Sequence, residues 1–131
     1  MSRLVARFND GSVVKGATFD FSPSKDLFHM ALASRPGENP LPVHRDDLKA
    51  LFFVKDFDGD PTHVESLEFE SPPPPGERRI RTAFKDGEVL VGTTSGYRPD
   101  LPGFFLIPAD PESNNERCFI FASAAREVRY L

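Results

Sequence analysis

Asp56, Asp58 and Asp60 stand at alternate positions around Gly59, a spacing that suits hard cations such as calcium. An EF-hand loop would place a bidentate Glu at its twelfth position. Counted from Asp56 that position is Leu67, and no helical pattern flanks the loop, so it reads as a solvated acidic turn and no metal is expected. His29, His44 and His63 lie in different segments without ligand spacing and read as ordinary surface histidines. Cys118 sits in the apolar run Cys118-Phe119-Ile120-Phe121, where a buried, inert thiol is expected. No Ser-His-Asp or Cys-His grouping and no glycine-rich phosphate loop is present, so the chain reads as a non-enzyme without cofactor.

What these residues can do instead is bind. Val64, Leu67 and Phe69 alternate with Glu65, Glu68 and Glu70 in a short amphipathic piece suited to a barrel surface or a basic partner. Asp56, Asp58, Asp60, Glu65, Leu67 and Phe69 are the candidate protein-binding residues. Pro72 to Pro75 follow as a stiff spacer. Residues 55–79 carry three basic and seven acidic groups, which accounts for the whole net charge of −4; the flanking regions stand at +1 and −1. No cluster of Lys and Arg marks a phosphate-binding face, so nucleic acid is not expected as a partner. One cysteine, no long apolar run and no signal sequence at Met1-Ser2-Arg3-Leu4 point to a cytoplasmic protein without membrane contact.

The elements that hold these residues are set by an internal repeat. At an offset of 76, Phe8, Asp10, Gly11, Val13, Gly16, Thr18, Pro23 and Phe28 meet Phe84, Asp86, Gly87, Val89, Gly92, Thr94, Pro99 and Phe104. At an offset of 77, Val43, Leu51 and Phe53 meet Ile120, Val128 and Tyr130. Tandem duplication is the economical reading, with a first unit at 1–55, a connector at 56–79 and a second unit at 80–131.

Each unit opens with alternating apolar residues that run into Asp-Gly, the strongest short hairpin signal. The second strands, expected over 13–21 and 89–97, carry Gly16 and Gly92 in their interiors, which suggests a curled sheet. Third strands are expected at Phe28-His29-Met30 and at Phe104 to Ile107. Two more follow in each unit, at Leu41 to His44 and Leu48 to Val54, then at Cys118 to Phe121 and Arg126 to Tyr130. The expectation is an all-β chain of two small barrels or rolls, about five short antiparallel strands each, packed as one compact pseudo-symmetric domain.

Gly11 to Gly16 and Gly87 to Gly92, with the bent strand that follows, resemble the opening of Sm-like small barrels. That resemblance implies a shared topology. The family's RNA-binding residues find no counterpart, since the matching regions read Ser22-Pro23-Ser24-Lys25-Asp26 and Leu48-Lys49-Ala50-Leu51. Phe52-Phe53-Val54-Lys55-Asp56-Phe57 and Asp110-Pro111-Glu112-Ser113-Asn114-Asn115 are similar to an uncharacterised bacterial domain family. Arg3, Arg7 and Asp10 resemble the arm and turn of PilZ-like barrels, which implies cyclic di-GMP as a ligand, although one residue too many precedes Gly16. The leading expectation is a non-catalytic protein-binding adaptor in a bacterial signalling or cell-organisation complex. A PilZ-like nucleotide sensor and an Sm-like nucleic-acid-associated barrel stand as alternatives.

Overall fold

The computed structural model describes residues 2–131. Ten strands run β1 (Arg3–Phe8), β2 (Val13–Ala17), β3 (Leu27–Leu32), β4 (Leu41–His44), β5 (Leu48–Val54), β6 (Arg78–Phe84), β7 (Val89–Thr94), β8 (Gly103–Pro108), β9 (Asn115–Phe121) and β10 (Ala125–Tyr130). Among the described residues, helix is confined to two single 3-10 turns, Arg45–Asp47 and Ala122–Ala124, each turning the chain between the last two strands of a unit. All strands belong to one antiparallel sheet in the order β10-β6-β7-β8-β9-β5-β1-β2-β3-β4.

That order contains the same five-strand arrangement twice, β5-β1-β2-β3-β4 and β10-β6-β7-β8-β9, joined where β5 pairs with β9. Separate closed barrels are not formed, contrary to the sequence expectation. β9 would have to close its own unit, but its outer edge is taken by β5, so the sheet stays open and ends on β10 and β4.

The Asp-Gly signals behave as their chemistry requires. Gly11 and Gly87 adopt φ of 90° and 97°, and Gly11 N–H and Gly87 N–H donate back to the Phe8 and Phe84 carbonyls. The second strands are shorter than expected, ending at Ala17 and Thr94. The cause is local: Thr18 and Thr94 turn their hydroxyls onto the carbonyls of His29 and Phe105, and the Asp20 carboxylate accepts the His29 N–H. Side chains there take over the role of the ladder.

Two hydrophobic cores form, and they lie on opposite faces of the central strands. Leu4, Ala6, Leu51, Phe119 and Phe121 point into the first core with Phe28, Met30 and Val43. Val5, Ala50, Phe52, Cys118 and Ile120 point into the second with Ile80, Phe84, Phe104 and Leu106. Because side chains alternate along a strand, this makes β1, β5 and β9 buried on both sides. At one end of the sheet, β10 alternates between part-buried and exposed residues along most of its length.

Candidate functional site

The floor of a central groove is Val5, Phe52 and Val54, on the second-core face of β1 and β5. One wall is the β1–β2 hairpin, with Arg7, Val13 and Lys15. The other is the β6–β7 hairpin, with Glu88, Val89 and Leu90, and the connector closes the top with Phe57, Asp58, Val64, Glu65 and Leu67. The cavity is about 580 Å³. A second hollow, lined by Val14, Leu32, Arg35 and Leu41, shares Val13, Lys15 and Phe57 with it, so the two form one continuous surface around the tip of β2.

That continuity follows from the pairing. β2 meets β3 only at Gly16 and Ala17, so the Val13–Val14 end of the hairpin projects past β3 and leaves apolar side chains uncovered. Val13, Leu67 and Val64 are 42%, 47% and 85% exposed. Charges of both signs rim these apolar residues, Arg7 and Lys15 on one side and Asp58, Glu65 and Glu88 on the other. Arg7 lies over the Phe52 ring, 5.5 Å from its centroid. The arrangement offers apolar contact flanked by ion-pairing groups.

From residue 55 to residue 77 the chain takes no strand or helix, and this stretch is held in place by its polar groups. Asp110 accepts from His63 Nε2 at 2.7 Å, from the Ser66 N–H at 2.8 Å and from the Glu112 N–H at 2.8 Å. The Ser66 and Glu112 backbone N–H groups hold the Asp110 carboxyl below its usual range, with His63 adding to them. Glu65 also reaches His63 Nε2, at 3.8 Å, so His63, Glu65 and Asp110 converge. At the other end, Asn114 donates to the Asp56 carbonyl and accepts the Asp56 N–H.

The residues singled out in the sequence divide accordingly. Asp58, Glu65 and Leu67 line the groove. Asp56 and Asp60 close local turns, accepting the backbone N–H of Asp58 and Thr62, and the Thr62 hydroxyl and N–H hold the Asp60 carboxyl low. Phe69 stacks beneath the Arg79 guanidinium, 4.5 Å from its centroid, outside the groove. Of the residues implied by the PilZ-like resemblance, Arg7 lines the groove, Arg3 donates to the Lys55 carbonyl, and Asp10 accepts from the Ser12 hydroxyl and N–H in the hairpin turn. The three do not converge. Cys118 is fully buried, and burial pushes its thiol pKa far up.

Sequence reasoning missed Val5, Val13, Lys15, Phe52, Phe57 and Asn114. It also missed Lys49, which lies across the join between the units. Lys49 is 9% exposed, bridges Asp86 at 2.6 Å and Glu88 more closely still, and rests on the Phe84 ring. Its ammonium holds the Asp86 carboxyl below the usual range.

Outside the groove, His29 Nδ1 and Asp20 lie 2.8 Å apart. The His29 ring and backbone N–H bring the Asp20 pKa from 3.8 down to about 2. A depressed carboxyl stabilises the fold above its unfolded value, so this contribution is complete above about pH 4 and is lost as pH falls through about 2. Since the Asp20 side chain is 38% exposed, the effect is modest. Asp20→Asn is expected to flatten the acid limb of a stability-versus-pH curve in that window. Urea melts at stepped pH measure it; an unaltered acid limb would remove the claim.

Fold and groove together define an all-β protein built on one open, ten-stranded antiparallel sheet with a cleft of mixed apolar and charged lining at its centre. The chain belongs to a family of unknown function, DUF6982, whose model matches residues 1–131. No curated protein matches the chain, and no solved structure does. Among the described residues, no helix is long and apolar enough to cross a membrane.

Proposed function

We propose that the chain is a non-catalytic protein-binding module, a duplicated Sm-like unit in which the central groove receives an extended apolar segment of a partner protein. The observation that carries this reading is the uncovered apolar surface around Val13, Val64 and Leu67, rimmed by both signs of charge. Apolar anchors supply affinity in such a surface, and rim charges select the partner and its direction. The absence of a basic patch in the sequence favours protein over nucleic acid. A cytoplasmic adaptor of a bacterial signalling or cell-organisation complex fits this chemistry.

The test is a photo-crosslinking residue placed at Val64 or Leu67 in cells, with Leu131, exposed at the end of the chain, as the control position. A defined protein adduct is expected from the groove positions and not from Leu131. It should disappear when Val13→Asp puts a carboxylate on the groove wall. Adducts to nucleic acid, or the same adduct from all three positions, would overturn the reading. Calorimetry with cyclic di-GMP is expected to give no heat at high micromolar ligand, and heat that vanishes with Arg7→Ala would transfer the site to the nucleotide alternative.

A further inference from the structure

We propose that Pro42, Glu127 and Arg129 keep the chain as a single copy, by disabling the two outer ends of a seam that the molecule uses once internally. The seam joins the fifth strand of the first unit, β5, to the fourth strand of the second, β9. The sheet ends on the same two roles left unpaired: β4, the fourth strand of the first unit, and β10, the fifth of the second. A second copy placed with its β10 against β4 would continue the sheet head to tail. Such a contact repeats into a ring or a filament.

The internal registers say which residues would meet. Arg7 and Val5 pair with Ala50 and Phe52 in the first unit, and Ala83 and Arg81, their counterparts at the offset of 76, pair with Glu127 and Arg129 in the second. Ala50 and Phe52 are 0% and 4% exposed and enter the second core across the seam. Glu127 and Arg129 stand in their place with charges. On the single chain these charges stay in water, with Glu127 3.8 Å from Arg81 and 3.7 Å from Arg129. In a continued sheet both would be driven into an apolar contact, which opposes association.

The other end is blocked by backbone chemistry. Arg45 N–H donates to the Asp26 carbonyl, so along β4 the alternation turns Leu41 and Val43 towards β3, and Pro42 and His44 towards the free edge. On β9, Ala122 N–H donates to Pro102 in the same way, which turns Phe119 towards β5, opposite Leu51. Pro42 is the counterpart of Phe119. It lacks the N–H at the centre of the edge that would have to pair, and β4 has four residues where β9 has seven.

The test uses cysteines at the positions that the seam register would oppose, Leu41→Cys and Arg129→Cys, the counterparts of the Cys118–Phe52 pair. Both sites are exposed, and the native Cys118 is buried. Under mild oxidation of the full chain this double variant, which gives up Arg129 but keeps Pro42 and Glu127, is expected to stay monomeric on non-reducing gels. A ladder of covalent multimers from it would overturn the proposal. Adding Pro42→Phe and Glu127→Ala is expected to produce that ladder and to make the mass found by light scattering rise with concentration. An opened variant that keeps the wild-type circular dichroism spectrum and yet stays at one chain across 10-fold to 100-fold changes in concentration would also overturn it.

Discussion

Gly92→Ala is expected to lower stability by about 3 kcal/mol, because the new methyl group would meet a backbone atom rather than a side chain that can move away. A Cβ built on Gly92 lies 2.0 Å from the Ile107 carbonyl oxygen, and one on Gly16 lies 2.0 Å from that of Ala31. Both contacts occur where a hairpin strand passes its ladder to the next strand, Gly92 opposite Pro108 and Gly16 opposite Leu32. Relieving the clash requires β7 and β8 to separate at one of their two paired positions, which leaves buried backbone groups unpaired. Gly96 supplies the control: no atom lies within 4 Å of its Cβ position, so Gly96→Ala should change stability by less than about 1 kcal/mol in either direction. Urea unfolding of both variants measures the difference. If Gly92→Ala melts with Gly96→Ala and the wild type, the close approach at the β7–β8 crossing is wrong.

Those glycines were legible in the sequence because a glycine repeated inside a strand has few explanations, and close backbone approach is one of them. The Asp-Gly hairpins were legible for the same kind of reason. The join between the units was not. Its trace was present in the run from Ala50 to Val54 and again in Cys118 to Phe121, continuous apolar stretches that mark strands buried on both faces. The repeat alignment drew attention to what the copies share. What locates the seam is where they differ: Ala50 and Phe52 against Glu127 and Arg129, and Phe119 against Pro42. The groove was less legible still, since Val13, Phe52, Phe57, Leu90 and Asn114 lie far apart in the chain. Only the β5–β9 pairing brings them to one place, and no local pattern announces a long-range pairing.

Phe119→Ala is expected to cost about 3–5 kcal/mol, the range for truncating a fully buried aromatic residue that leaves a cavity. Phe119 is 1% exposed and belongs by sequence to the second unit, but its ring points into the first core. There it packs edge-on to Phe21, Phe105 and Phe121 with centroids 5.4, 4.9 and 5.1 Å away. On the opposite face of the same strand, Cys118 and Ile120 fill the second core. One strand therefore serves both cores, and a cavity in the first should weaken the second through the seam. The chain has no Trp and only two Tyr, Tyr97 and Tyr130, which pack together with Phe104 in the second core. Tyrosine fluorescence therefore reports the second core alone, while far-ultraviolet circular dichroism reports the whole sheet. In Phe119→Ala both signals are expected to fall in one coincident transition, roughly 10–20 °C below the wild type. If tyrosine fluorescence melts at the wild-type temperature while the dichroism loses an early phase, the two units are energetically separate. The shared sheet would then join them without making their folding cooperative.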